Sequence, residues 1–157
     1  MRITLLTVGR SDEAWVRESL GLYCSRIAHY VPFSLKELPD VKAASSLSAP
    51  VRKTREAEAI LKSLKPSDRL ILLDEHGKCF RSLEFASYLQ GIFNGGGGDI
   101  VFCIGGPYGF APEVYARAND KISLSPMTFS HQMVRTIFAE QLYRAFTIMR
   151  GEPYHNE

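Results

Sequence analysis

The residues most able to do chemistry lie on three segments that each follow an apolar run. The first is GGPYG, Gly105 to Gly109, directly after Ile100–Ile104. Gly105 and Gly106 remove side chains where a ligand or another backbone can come close, and Pro107 fixes the exit. The pattern is not G-x-G-x-x-G, and no Lys-Ser/Thr pair follows it, so it is neither a dinucleotide fingerprint nor a phosphate-binding P-loop. The second is SPMTFSHQ, Ser125 to Gln132, which sets hydroxyls and main-chain groups beside Met127 and Phe129. Such a mixture is how purine-sized groups are commonly held. The same stretch also reads as a plain strand-to-helix joint with Ser130 as N-cap. The third is DEHGK, Asp74 to Lys78, which reads as a turn after the strand Arg69–Leu73.

Further along, His131 opens the last helix and is a candidate base, although a histidine bonded to loop backbone is the plainer role. Arg135, Arg144 and Arg150 lie on that helix and its exit. They can contact phosphates, or they can serve solvated faces and intersubunit ion pairs. Tyr154 and His155 can stack on an unstacked base, or belong to a frayed tail.

These residues need elements to position them. Arg2 to Val8 is apolar and β-prone and is closed by Gly9. Asp12 to Tyr30 repeats Trp15, Ser19, Leu22, Tyr23, Arg26 and Ile27 at helical spacing and is ended by Pro32. FSLKEL, Phe33 to Leu38, alternates as a half-buried strand does. The Ser/Ala/Pro-rich PDVKAASSLSAP reads as a loop. Val51 to Lys65 carries an apolar stripe at Ala57, Ile60, Leu61 and Leu64. A helix capped by Ser82 runs to about Phe93, GGGG makes a loose connector, and strands follow at DIVFCI and KISL. Between those two strands a short helix starts at Pro112. The final helix, Met133 to Met149, places Val134, Ile137, Phe138, Leu142, Ala145 and Ile148 on one stripe. Its aromatic residues reach beyond that stripe, which points to packing on a partner subunit as well as on its own core. Strands alternate with helices throughout, so the expected fold is α/β, a mostly parallel sheet with helices on both faces, in one domain over 1–157. Ligands then belong beyond the carboxyl ends of the strands, where the three segments stand.

Composition sets the outer bounds. The chain has 157 residues, 45% hydrophobic and 23% charged, which suits a globular core and argues against disorder. No apolar run approaches the ~20 residues of a membrane span, and the N-terminal stretch is too short for a signal peptide. Three cysteines at Cys24, Cys79 and Cys103, with no C-x-x-C and no Cys/His cluster, suggest a reduced, cytoplasmic protein without a structural metal. A net charge of +2 is too small for whole-molecule attraction to nucleic acid, so any such contact must be local.

Five segments, MRITLLTVGR, LLDEHGK, VFCIGGPYGF, LSPMTFSHQMVR and AEQLYRAFTIMRGEPYH, stand in the order found in one family. The sequence resembles, over essentially its whole length, the RlmH family of the SPOUT superfamily, the ribosomal large-subunit pseudouridine N3-methyltransferases. The resemblance implies a SPOUT-type α/β knot, in which the C-terminal segment threads a loop to make a trefoil knot. It implies a homodimer that binds S-adenosylmethionine (S-adenosyl-L-methionine) in the knot and methylates a pseudouridine of 23S rRNA on the assembled ribosome. The cofactor positions carry over onto Leu73, Gly105, Leu124, Ser125, Pro126, Met127, Thr128 and Phe129. The chain departs from the family at Pro126, where Lys is frequent, at Ser130, where Pro is frequent, and in its less basic ending HNE. Within that reading, His131 and the partner subunit's His155 are candidates to take the imide proton, and Arg144 to steady the imide anion. Arg135, Arg144, Tyr154 and His155 are candidate RNA contacts. Two other classes compete: a non-catalytic ribosome- or RNA-binding factor, and a nucleotide-phosphate enzyme using GGPYG as an anion nest.

Overall fold

A computed structural model describes residues 1–41 and 47–156. Part of the Ser/Ala-rich loop, residues 42–46, therefore lies outside the described residues. The elements are β1 (Ile3–Val8), α1 (Ala14–Ile27), β2 (Phe33–Leu38), α2 (Ala49–Lys62), β3 (Arg69–Cys79), α3 (Ser82–Gly95), β4 (Ile100–Ile104), α4 (Pro112–Arg117), β5 (Asp120–Ser123) and α5 (Met133–Met149). The strands form one sheet in the order β2-β1-β4-β3-β5, and every pairing is parallel. This is the α/β arrangement expected from the alternation of elements.

Each strand's alternate residues feed opposite cores. Ile3, Leu5, Ile71, Ile100 and Phe102 face α1, α3 and α5, together with Phe85, Leu89, Phe138, Leu142 and Phe146. Leu6, Val8, Leu70, Leu72, Val101 and Cys103 face α2 and α4, with Ala57, Ile60 and Val114. All five residues of β4 are buried, as a strand covered on both faces requires.

Two expectations about α5 and α3 change. The stripe of α5 is rotated: Phe138, Leu142 and Ala145 are buried as expected, but Ala139, Phe146, Thr147 and Arg135 join them, while Val134, Ile137 and Ile148 are only half-buried. Ser82 is the first residue of α3 and not its cap. Arg81 takes that position, and its N–H donates to the Glu84 carboxylate at 2.8 Å.

The largest change concerns DEHGK. It is not a turn that ends a strand, because β3 runs on to Cys79. Ile122 of β5 pairs first with Leu73 and again with Lys78, so residues 74–77 arch outward between two contacts with the same strand. Gly77 closes this arch: a Cβ there would lie 2.5 Å from the Ile122 carbonyl carbon and 2.6 Å from its nitrogen.

Candidate functional site

The arch of β3 and the carboxyl ends of β4 and β5 open together onto a cavity of about 690 Å³. Leu73, Ile104, Leu124, Phe129 and Val134 supply apolar wall, and Asp74, Ser125, Thr128 and His131 supply polar groups. This is the size and mixture of a small-molecule site. Of the eight carried-over cofactor positions, Leu73, Gly105, Leu124, Ser125, Met127, Thr128 and Phe129 line it, and Pro126 does not. Met127 touches it only from the rim, with 77% of its surface exposed.

The loop after β5 is held by its own hydroxyls. Ser123 Oγ donates to the Ser125 carbonyl at 2.9 Å, and Ser125 Oγ accepts the Met127 N–H at 2.9 Å. Ser130 Oγ accepts the Met133 N–H at 3.1 Å, so it caps the turn leading into α5, one turn ahead of the helix itself. His131, in that turn, is exposed and faces the cavity.

Side chains of the protein itself come close to the glycines of GGPYG. A Cβ at Gly105 would meet the Phe110 ring at 3.0 Å, and one at Gly106 would meet a Glu56 carboxylate oxygen at 2.7 Å.

Sequence reasoning passed over the group at the arch. Tyr115 donates a short hydrogen bond to Asp74, and the His76 N–H reaches the same carboxylate at 2.8 Å. Burial alone would raise the Asp74 pKa, but these bonds outweigh it and hold the carboxyl below the usual range. Burial and the Asp74 bond push the Tyr115 hydroxyl up to about 12. The signal was the place of Asp74 directly after the apolar run that ends at Leu73. Nothing in the sequence pairs it with Tyr115.

Arg135 is not a phosphate contact. Its residue surface is 0% exposed. Nε donates to the His131 carbonyl at 3.0 Å, Nη1 to Gly9 O at 3.0 Å and Ser11 Oγ at 3.1 Å, and Nη2 to Val8 O at 3.0 Å. Glu37 completes the set at 3.3 Å. The guanidinium thus binds the end of β1 to the start of α5.

Arg144, Tyr154 and His155 do cluster, but away from the cavity. Arg144 pairs with Glu140 at 2.5 Å and meets His155 Nδ1 at 3.2 Å, and Tyr154 donates to Glu140 at 3.0 Å. The Arg144 guanidinium lies 4.9 Å from the Tyr154 ring centre. These contacts dock the tail, so it is not frayed. His155 Nε2 is buried without a partner among the described residues. Arg144 is 13 positions along the chain from His131, which at a helical rise of about 1.5 Å is roughly 20 Å.

A family model described as "Predicted SPOUT methyltransferase" matches residues 1–155. This chain belongs to the SPOUT methyltransferases. The resemblance read from its five segments therefore holds, and a purely non-catalytic factor or a phosphate enzyme does not. Among proteins similar to this SPOUT methyltransferase, Ribosomal RNA large subunit methyltransferase H of Parabacteroides distasonis is 48% identical over 157 residues, covering 100% of both chains. Its namesakes in Phocaeicola vulgatus and Bacteroides thetaiotaomicron are each 50% identical with the same coverage. A solved structure, the SpoU methyltransferase AviRb from Streptomyces viridochromogenes in complex with AdoMet, aligns with a TM-score of 0.47 at 13% identity, over 90% of this chain and 56% of that one. Among the described residues of this SPOUT methyltransferase, no helix is long and apolar enough to cross a membrane, and no cluster of His, Cys, Asp or Glu forms a metal-binding group.

Proposed function

We propose that this chain uses S-adenosylmethionine to methylate N3 of a pseudouridine in 23S ribosomal RNA, on the assembled ribosome, in the cytoplasm and as a homodimer. The observation that carries this is the meeting of seven of the eight implied cofactor positions, from one strand and two separate loops, around one cavity. The names of the full-length relatives support ribosomal RNA as the substrate. The double pairing of Ile122, before and after the 74–77 arch, supports a C-terminal segment threaded as in a trefoil knot.

The residues present suit the cofactor. Leu73, Leu124 and Phe129 would take its apolar parts, and main-chain groups of Gly105 and of Leu124–Phe129 its polar edges. When bound, it supplies a methyl group already activated on a sulfonium. The protein's task is then to align, to exclude water and to manage one proton, and oriented encounter alone can lower the barrier by about 7–11 kcal/mol. His131, at the cavity's edge, can accept the imide proton on a ring nitrogen. Arg144 would steady the resulting anion. Within one chain Arg144 and His155 stand too far from His131, so a second copy would bring its own cluster to this cavity. That separation supports the homodimer.

Titration calorimetry with S-adenosylmethionine should give saturable binding, lost when Gly105 is replaced by a bulky residue. Mass mapping of large-subunit nucleosides from a deletion strain should reveal a missing methylpseudouridine that the gene restores. An unchanged nucleoside profile would refute the proposed substrate.

A further inference from the structure

A second, smaller cavity of about 140 Å³ adjoins the first and shares Gly106, Pro107, Tyr108 and His131 with it. It has room for one planar ring and not for a nucleotide. Its polar wall includes Arg10, Asp40, Arg52 and Glu56. Glu56 stands out. It lies on α2, one helical turn before the core residue Ile60, and only 6% of its surface is exposed. Its carboxyl packs against Gly106. Among the described residues no hydrogen bond holds its carboxyl, which lines the recess. Burial and the neighbouring Asp40 carboxylate raise its pKa, with Arg52 opposing them. Tyr108, 46% exposed, stands at the shared mouth with the Arg52 guanidinium 5.9 Å from its ring centre. An aromatic face beside a ring-sized polar recess suits a base taken out of its stack.

We propose that this recess seats the target base and that Glu56 determines its identity: a carboxyl oxygen accepts the N1–H that pseudouridine has and uridine lacks, leaving N3 turned toward the larger cavity. The inference rests on the function proposed above. Uridine carries a C–H at the matching place, and a buried acceptor facing C–H stays unpaired. A site built to bond an N–H discriminates against the analogue lacking it for this reason.

The test uses ribosomes carrying either pseudouridine or uridine at the target. Wild-type protein should favour the pseudouridine form. Glu56→Met, which removes the acceptor and keeps the bulk, should lower kcat/KM on pseudouridine about 10- to 100-fold, as expected for a lost bond to a charged group. It should change kcat/KM on uridine little and leave the Kd for S-adenosylmethionine unchanged. Glu56→Gln, which keeps a carbonyl acceptor, should retain intermediate discrimination, and it carries the test if the Met variant does not fold. Equal loss on both substrates, or undiminished discrimination in Glu56→Met, would overturn this inference while leaving the proposed function standing. No methylation of either ribosome by wild-type protein would overturn both.

Discussion

Replacing Arg135 by Met separates a structural role from nucleic-acid contact. The substitution keeps most of the apolar stem and removes the guanidinium. Three main-chain carbonyls, of Val8, Gly9 and His131, lose a donor, as do Ser11 Oγ and Glu37; Gly9 O keeps Thr7 Oγ1 and Glu37 keeps the Ser11 N–H. Adding each bond separately would overshoot, because the charge's own desolvation cost disappears with it. Breaking a buried ionic network from one side costs about 3–5 kcal/mol. At about 2–4 °C per kcal/mol for a domain of this size, Tm should fall by about 6–20 °C. Arg135→Lys should recover little, since one ammonium cannot reproduce a planar fork shared among four elements. The assay is a thermal melt, paired with ribosome binding across a salt series. A Tm within about 2 °C of wild type, with weaker binding and a shallower salt slope, would refute the reasoning and restore a phosphate contact.

Three more outcomes are expected. Gly77→Ala forces a methyl group into the Ile122 backbone, so it should destabilise the fold by about 1–3 kcal/mol and weaken S-adenosylmethionine binding together with it; calorimetry and melts check both. Arg144→Ala should lower methylation on the order of 100-fold with cofactor affinity kept, whereas equal loss of both would mark Arg144 as a prop for Glu140 and Tyr154. Glu56 has a folded-state pKa raised above its ordinary 4.5. The stability tied to its proton is therefore full below that value and is lost as pH rises through the folded pKa. Glu56→Gln should accordingly melt higher than wild type at about pH 8, and the gap should close toward about pH 5.

The fold was legible where a pattern is local. β2 and α5 have the bounds their periodicity implies, and β4 is the doubly covered strand that its unbroken apolar run indicates. DEHGK was misread because a tight turn and an arched strand demand the same residues, polar ones and a glycine. What separates them is β5, more than forty positions later. The stripe of α5 was rotated for a related reason. Periodicity assigns an arginine to solvent, and only the assembled molecule shows three carbonyls converging on Arg135. The cavity's walls were readable from strand ends and glycines, since the sheet alone dictates where such loops meet. Glu56 left no such trace. It sits in an ordinary run of helix formers, and its significance comes from Gly106, fifty residues away.

The placement of α5 has a consequence for how the chain matures. Phe138, Ala139, Leu142, Ala145 and Phe146 complete the larger core, and among the described residues every strand pairing is parallel, so none zips to a sequence neighbour as a hairpin. The sheet face carrying Ile3, Leu5 and Phe102, which α1 and α3 cover in part, is sealed only when α5 docks. Segments made before α5 wait in collapsed but unsealed form, and slow, long-range closure is the limiting step of folding.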